Sequence, residues 1–217
     1  MQLPVNLYGV LIADVVASRS VTRLRSSLHE KLRDTSSAQL EEHLIRVPYA
    51  ITAGDEFQVV AARLERLPKL ILDLRRRLLP FQLRIGIGIG VVEEQIRRPV
   101  NQIAGEAFER ARKAITEIKA SRKYPTLTLF HSSRQNFDLV ANLIYGLQDT
   151  LLLRTTAKQW ETIAVYLNKN RVDYTAKALK IDRSTASRNL KRGFFWQLED
   201  TVLVMEKFIQ ANFSDCT

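Results

Sequence analysis

The sequence predicts an α+β protein, a sheet covered by helices and followed by an all-α module. Three observations carry this: strand-like and helix-like segments alternate up to about residue 133, no convincing strand follows, and residues 84–90 alternate isoleucine with glycine. Leu7–Val16 is almost wholly apolar and β-branched, which fits a strand buried on both faces. Ser18, Arg19 and Ser20 lead into a helical stretch reaching about Leu32, and a second helical piece follows near Ala38–Leu44. Val47–Thr52 and Phe57–Ala61 read as strands joined by the turn Ala53-Gly54-Asp55-Glu56, in which Gly54 supplies the unusual φ. Leu64–Leu79 is an amphipathic helix stopped by Pro80, Gln82–Val91 a strand, Ile103–Ala120 a helix and Thr126–His131 a last strand. The order β-α-β-β-α-β-α-β suggests a split βαβ sheet of ferredoxin-like type with an extra terminal unit. Helical spacing then recurs in Asn136–Leu153, Lys158–Leu167, Asp173–Leu179, Arg183–Leu190 and a final helix from about Phe194 to Phe213. The expected division is a sheet domain over 1–133, a connecting helix over 134–154 and a helical domain over 155–217.

Composition narrows the function. The 217 residues are 46% apolar and 26% charged, which excludes wholesale disorder. No apolar run reaches about 18 residues, and the first six residues lack the pattern of a signal peptide, so a cytoplasmic protein with no membrane partner is expected. Cys216 is the one cysteine, which leaves no disulfide framework or cysteine metal site within the chain. The 33 Lys+Arg against 23 Asp+Glu give a net charge of +10, enough to raise nucleic acid as a partner. A solvated basic surface is the competing explanation.

Asp14 lies near the end of an apolar strand, where a carboxylate is costly without a cation or donors. Asp55 lies in the hairpin turn, which in a split βαβ sheet falls beside that strand end. Two carboxylates meeting there suit a hard divalent cation, Mg²⁺ or Mn²⁺, whose remaining ligands are commonly phosphates. Val15-Val16-Ala17-Ser18-Arg19 then enters a helix whose free N–H groups favour a triphosphate. Alternatively, Asp14 caps that helix and Asp55 merely makes the turn. In the strand Arg84-Ile85-Gly86-Ile87-Gly88-Ile89-Gly90, period-two alternation gives one isoleucine face and one bare glycine face. Such a face admits a helix or a flat base close to the backbone, helix packing being the reading preferred here.

Residues 173–190 resemble a helix-turn-helix. Ala176 is small where two helices would cross, Leu179, Ile181, Ala186 and Leu190 close a small core, and Asp182 suits an N-cap. Arg183, Ser184, Ser187, Arg188 and Lys191 fall on the outer side of the second helix, a set suited to phosphates and base edges in a major groove. Lys180 stands where the turn usually has Gly. Trp160 and Trp196 read as core anchors, and the three histidines show no metal-ligand spacing.

ADVVASR (13–19), TAGDEFQ (52–58), RIGIGIG (84–90) and GEAFERARKAI (105–115) together resemble the SatD family. The first module in turn resembles the class III nucleotidyl cyclase and GGDEF core. That resemblance implies metal ligation by Asp14, Asp55 and the carbonyl of Val15. It implies nucleotide contacts from Ala17, Ser18, Arg19, Gly54, Glu56 and Lys113, and a homodimer with a site between chains. Arg110, Arg112 and Lys119 are further cations on the same helix. Glu109 and Lys113 stand where cyclases commonly place an Asn and an Arg, so catalysis is less supported than binding. The leading expectation is a regulator that binds a nucleoside triphosphate with Mg²⁺ and binds DNA through its C-terminal module. The alternatives are an active nucleotidyl cyclase or nucleotidyltransferase making a signalling nucleotide, and a scaffold that binds neither ligand.

Overall fold

The computed structural model describes residues 6–16, 25–92, 96, 99–121 and 126–214. The apolar first strand becomes β1 (Tyr8–Val15), the middle strand of five. It pairs antiparallel with β3 (Glu56–Val60) on one side and with β4 (Leu83–Gly90) on the other. β2 (Ala50–Ala53) flanks β3, and β5 (Thr128–His131) runs parallel to β4, giving the order β2-β3-β1-β4-β5. Gly54 turns the β2–β3 hairpin with a φ of 63°, a conformation a side chain would resist.

Between β1 and β2 the chain forms one helix, α1 (Arg25–Glu41), where two pieces were expected. Thr35, Ser36 and Ser37 are poor helix formers and suggested a break. Here Ser36 Oγ accepts the Tyr49 N–H at 3.1 Å and Ser37 Oγ donates to the Arg33 carbonyl at 3.3 Å. With those hydroxyls satisfied, the helix continues through them. A single 3₁₀ turn (Leu64–Arg66) precedes α2 (Leu67–Arg77), whose last turn carries Arg75, Arg76 and Arg77 against the negative end of the helix dipole.

Period two sorts the sheet into two cores. Leu11, Ala13, Val15, Phe57, Val59 and the three isoleucines of β4 face α1, α2 and two later helices. Val10, Ile12 and Val60 face α3 (Glu106–Ala120) through Ala107, Ala111, Ile115 and Ile118. The glycines of β4 lie directly under α3. A Cβ on Gly88 would sit 2.0 Å from the Ala107 carbonyl oxygen, and one on Gly86 2.5 Å from the Ile115 nitrogen. Helix packing is thus what the glycine face does.

The remaining helices are α4 (Gln135–Arg154), α5 (Ala157–Tyr166), α6 (Val172–Leu179), α7 (Arg183–Arg192) and α8 (Phe195–Phe213). Thr156 and Gln159 close a reciprocal capping box at the start of α5. Leu152, Ile163, Leu190, Phe195 and Leu198 form a small core, with Trp160 packed against it. Trp196 does not join that core: it is 46% exposed and touches the edge of Phe195. α8 starts in the small core and ends in the sheet core, where Met205, Ile209 and Phe213 are buried. Phe137 of α4 stacks on Phe208 and meets Phe213 edge-on, at 5.2 and 5.0 Å between ring centroids.

A buried ion pair ties α2 and α4 to the sheet. Arg75 Nη1 donates to the Leu83 carbonyl at 2.8 Å, and its Nη2 lies 3.7 Å from Asp149 Oδ1. Asp149 also accepts from the N–H groups of Leu127 and Thr128 and from the Thr128 hydroxyl. No helix among the described residues is long and apolar enough to cross a membrane.

Candidate functional site

The C-terminal end of β1 gathers charge on its α3-facing side. Asp14 stands opposite Arg84 in the β1–β4 register, and Arg84 Nε donates to Asp14 Oδ1 at 2.9 Å. Lys119, in the last turn of α3, places Nζ 2.9 Å from Asp14 Oδ2 and 3.3 Å from Glu56 Oε2. Glu56 Oε1 accepts from Arg112 Nη1 at 2.6 Å and from the Thr52 hydroxyl at 2.9 Å. On the same strand end, Asp55 Oδ2 accepts the Val15 N–H at 3.1 Å. Asp14 and Glu56 therefore share Lys119, and Asp55 joins the same strand end through the Val15 N–H.

Burial opposes the charge on Glu56. Hydrogen bonds from Arg112 and Thr52, the Arg112 charge and Lys119 outweigh it, so the carboxyl lies below its ordinary range. Lys119 shows the mirror case: burial disfavours its charge, but Asp14 and then Glu56 raise its pKa. Lys119 thus holds the position of positive charge between two carboxylates. Its side chain is 40% exposed, and Arg112's is 48% exposed. Both reach the buried carboxylates from long side chains anchored at the surface of α3.

The donors fit a hard cation in kind, being carboxylate oxygens at a strand end. Asp14, Asp55 and the Val15 carbonyl are the donors the sequence names for it. No group of three or more His, Cys, Asp or Glu side chains among the described residues is arranged to hold a metal. Water or phosphate oxygens would complete the shell.

The other expected nucleotide contacts divide. Gly54 turns the hairpin that presents Asp55 and Glu56. Ala17, Ser18 and Arg19 lie outside the described residues. Lys113 does not reach the cluster. It points to the opposite flank of α3, 4.0 Å from Glu117, which also pairs with His131 at 3.0 Å. Arg110 is occupied with Glu106 and with the Ile89 carbonyl. Sequence reasoning missed Arg84, although the alternation that places Gly86, Gly88 and Gly90 towards α3 places Arg84 there too.

A cavity of about 630 Å³ opens at this end of the sheet on the other face, lined by Gln82, Leu83, Phe81, Trp160 and the cations Lys31 and Lys158. Gln82 borders the strand end directly, its carbonyl accepting the Val16 N–H at 2.8 Å. A second cavity of about 380 Å³ lies at the opposite end, beside Tyr8 and Arg46, away from the carboxylates.

In the helical module α6 and α7 cross with Ala176 and Ala186 buried. Lys180 takes the left-handed conformation, φ 53° and ψ 45°, at the position where glycine is usual. Asp182 occupies the N-cap of α7, yet its side chain makes no capping hydrogen bond. Arg183, Ser184, Ser187, Arg188 and Lys191 are all exposed on one side of α7. Arg183 Nε pairs with Asp173 Oδ1 at 3.1 Å.

The SatD family matches residues 8–193. A bacterial light-regulated adenylyl cyclase is similar at 13% identity, over 58% of this chain and 76% of that one, with a TM-score of 0.41. A regulator of polyketide synthase expression from Bifidobacterium adolescentis is similar at 16% identity, over 93% of this chain and 86% of that one, with a TM-score of 0.26. No curated protein matches the sequence.

Proposed function

This chain belongs to the SatD family, and we propose that it is a cytoplasmic, homodimeric regulator that binds a nucleoside triphosphate with Mg²⁺ and reads DNA through α6 and α7. The observation that carries the reading is the Asp14–Glu56 pair bridged by Lys119, with Asp55 on the adjoining Val15 N–H. In this reading the sheet is a split βαβ core of the nucleotidyl cyclase kind, and residues 173–190 are a helix-turn-helix. A divalent cation supplies charge that orients the phosphates. Asp14 and Asp55 hold it. Lys119 gives up its place between the carboxylates and, with Arg112, turns to the phosphate oxygens.

The arrangement supports this exchange because one mobile cation is released for each positive charge taken up, so the cluster stays near neutral in both states. On the DNA side, Arg188 and Lys191 are exposed and carry no intramolecular ion pair among the described residues. Arg183 is held by Asp173 and serves more as a positioned phosphate contact than as a base reader.

Calorimetric titration of each of the four triphosphates with Mg²⁺ tests the first half. Binding that Asp55→Ala and Asp14→Asn abolish is the expected result. Binding that survives both overturns the site. Gel-shift titration at fixed salt tests the second half: Arg188→Ala should weaken a specific complex by ~1–3 kcal/mol if it reads a base. Unchanged affinity removes Arg188 from that role.

Catalysis is the second reading, favoured by the same two aspartates at one strand end. Mass spectrometry of each triphosphate incubated with protein and Mg²⁺ or Mn²⁺ decides it. A cyclic or linked nucleotide absent with Asp55→Ala makes the protein an enzyme.

A further inference from the structure

The cavity of about 630 Å³ beside Gln82 takes a wall from each part of the chain. The end of α2 and the start of β4 form one wall, and the end of α4 with α5 forms the other. Arg76 Nη1, on the first wall, donates to Asn168 Oδ1 just after α5 at 2.8 Å. The volume falls in the range of roughly 300–1,000 Å³ common to small-molecule sites. Phe81, Leu83, Leu127 and Leu152, all buried, make the lining apolar, and Trp160 joins them half-buried.

The cations of the lining differ in what already occupies them. Arg76 and Arg77 pair with Asp73, and Arg77 also with Glu42. Arg75 donates through its Nη atoms to the Leu83 carbonyl and the Thr128 hydroxyl, but its buried Nε has no partner among the described residues. Lys31 on α1 and Lys158 on α5 make no ion pair among the described residues. Lys31 is half-buried, so part of the water that would solvate its charge is excluded. Against these stands a single acidic residue of the lining, Glu161, exposed on α5.

We infer that this cavity binds a small-molecule carboxylate carried on an apolar body. Charge and lining together select that class. A neutral hydrocarbon would leave both lysines unpaired, and a ligand made mostly of phosphate would set charge against leucine and phenylalanine. A carboxylate on an aliphatic or aromatic body covers the apolar lining and gives the lysines a counter-charge. Such an occupant touches the sheet through Phe81 and Leu83 and the helical module through Trp160, so it binds one placement of α5 on the sheet. The inference goes beyond the function proposed above and does not rest on it, since neither Asp14 nor Asp55 lines this cavity.

Fluorescence of the full-length Trp196→Phe protein, in which Trp160 is the remaining tryptophan, reads it. Octanoate should shift the Trp160 emission and saturate at one ligand per chain, and octanol should bind at least tenfold more weakly. Lys31→Glu combined with Lys158→Glu should weaken octanoate at least tenfold with the far-ultraviolet circular dichroism unchanged. Lys169→Glu, outside the lining, should leave the affinity as it was. Ala164→Phe, which fills the cavity from α5, is a second variant and should abolish binding. No saturable shift up to about 1 mM, equal affinity for octanoate and octanol, or an affinity indifferent to both the charge and the filling variants would each overturn the inference. So would a loss with Lys169→Glu as large as with the lining lysines, or displacement of octanoate by a Mg²⁺-triphosphate, which would assign the cavity to nucleotide.

Discussion

Two charge clusters sit at the same end of the sheet on opposite faces, and they are built differently. Arg75 and Asp149 are 6% and 0% exposed, and each is held by backbone groups of the strands they join. Desolvation pulls Arg75 below its ordinary pKa and pushes Asp149 above its own, although their mutual attraction resists both shifts. The guanidinium Nε finds no partner among the described residues. In the other cluster, Asp14 and Glu56 are also buried, but two of the cations that neutralise them come from long, half-exposed side chains. Fixed bonds on both members make a structural tie. Buried carboxylates facing long, half-exposed side chains are the arrangement that the proposed exchange of charge requires.

Substitutions can break the contrast, and the sealed pair should be the more costly to disturb. Asp149→Ala leaves the Arg75 guanidinium buried and unpaired, and should cost about 3–5 kcal/mol in urea unfolding. Gly88→Ala should come next. Its new methyl meets the Ala107 carbonyl and must lift α3, for about 1–3 kcal/mol. Because α3 carries Lys119 and Arg112, that variant should also lose triphosphate binding, which calorimetry would show.

Lys119→Met should cost no more than about 1 kcal/mol, since the side chain is 40% exposed and Arg84 and Arg112 still pair with Asp14 and Glu56. Its effect on ligands is the sharper readout. Removing the competing ammonium should tighten Mn²⁺ alone several-fold, measured by paramagnetic resonance, while weakening Mg²⁺-triphosphate. A Lys119 that is merely structural would change neither.

The smallest effect is on pH dependence. Glu56 has a depressed pKa in the folded state, so the stability it supplies is complete above the unfolded glutamate pKa. That stability is lost as pH falls through the lower folded value. Glu56→Gln should flatten the acid limb of the urea midpoint between neutral pH and about pH 3. An unchanged limb would remove Glu56 from the balance.

Much of this was legible in the sequence. The order of strands and helices followed from period-two runs, turn glycines and helical spacing. The isoleucine–glycine strand announced the helix that lies on it. The continuity of α1 was not legible, because it depends on Ser36 meeting a backbone N–H thirteen residues away. Lys113, the lysine expected on α3, lies away from the carboxylate cluster for a geometric reason. The seam Ala107, Ala111, Ile115 fixes the rotation of the helix on the glycines, sending Arg112 and Lys119 to one flank and Lys113 to the other. That seam is visible in the sequence, but which flank faces β1 is known only once the strand order is. Trp196 stays exposed because the buried place beside Ile163 is taken by its neighbour Phe195.

The path of α8 has a consequence for how the protein is made. The sheet's main core is closed by Met205, Ile209 and Phe213, residues synthesised long after His131 completes the last strand. At about 5–20 residues per second, the ribosome leaves the part of that face under α8 uncovered for several seconds. The nascent sheet therefore waits for its final helix, and a chaperone that masks apolar surface during translation has its natural window there.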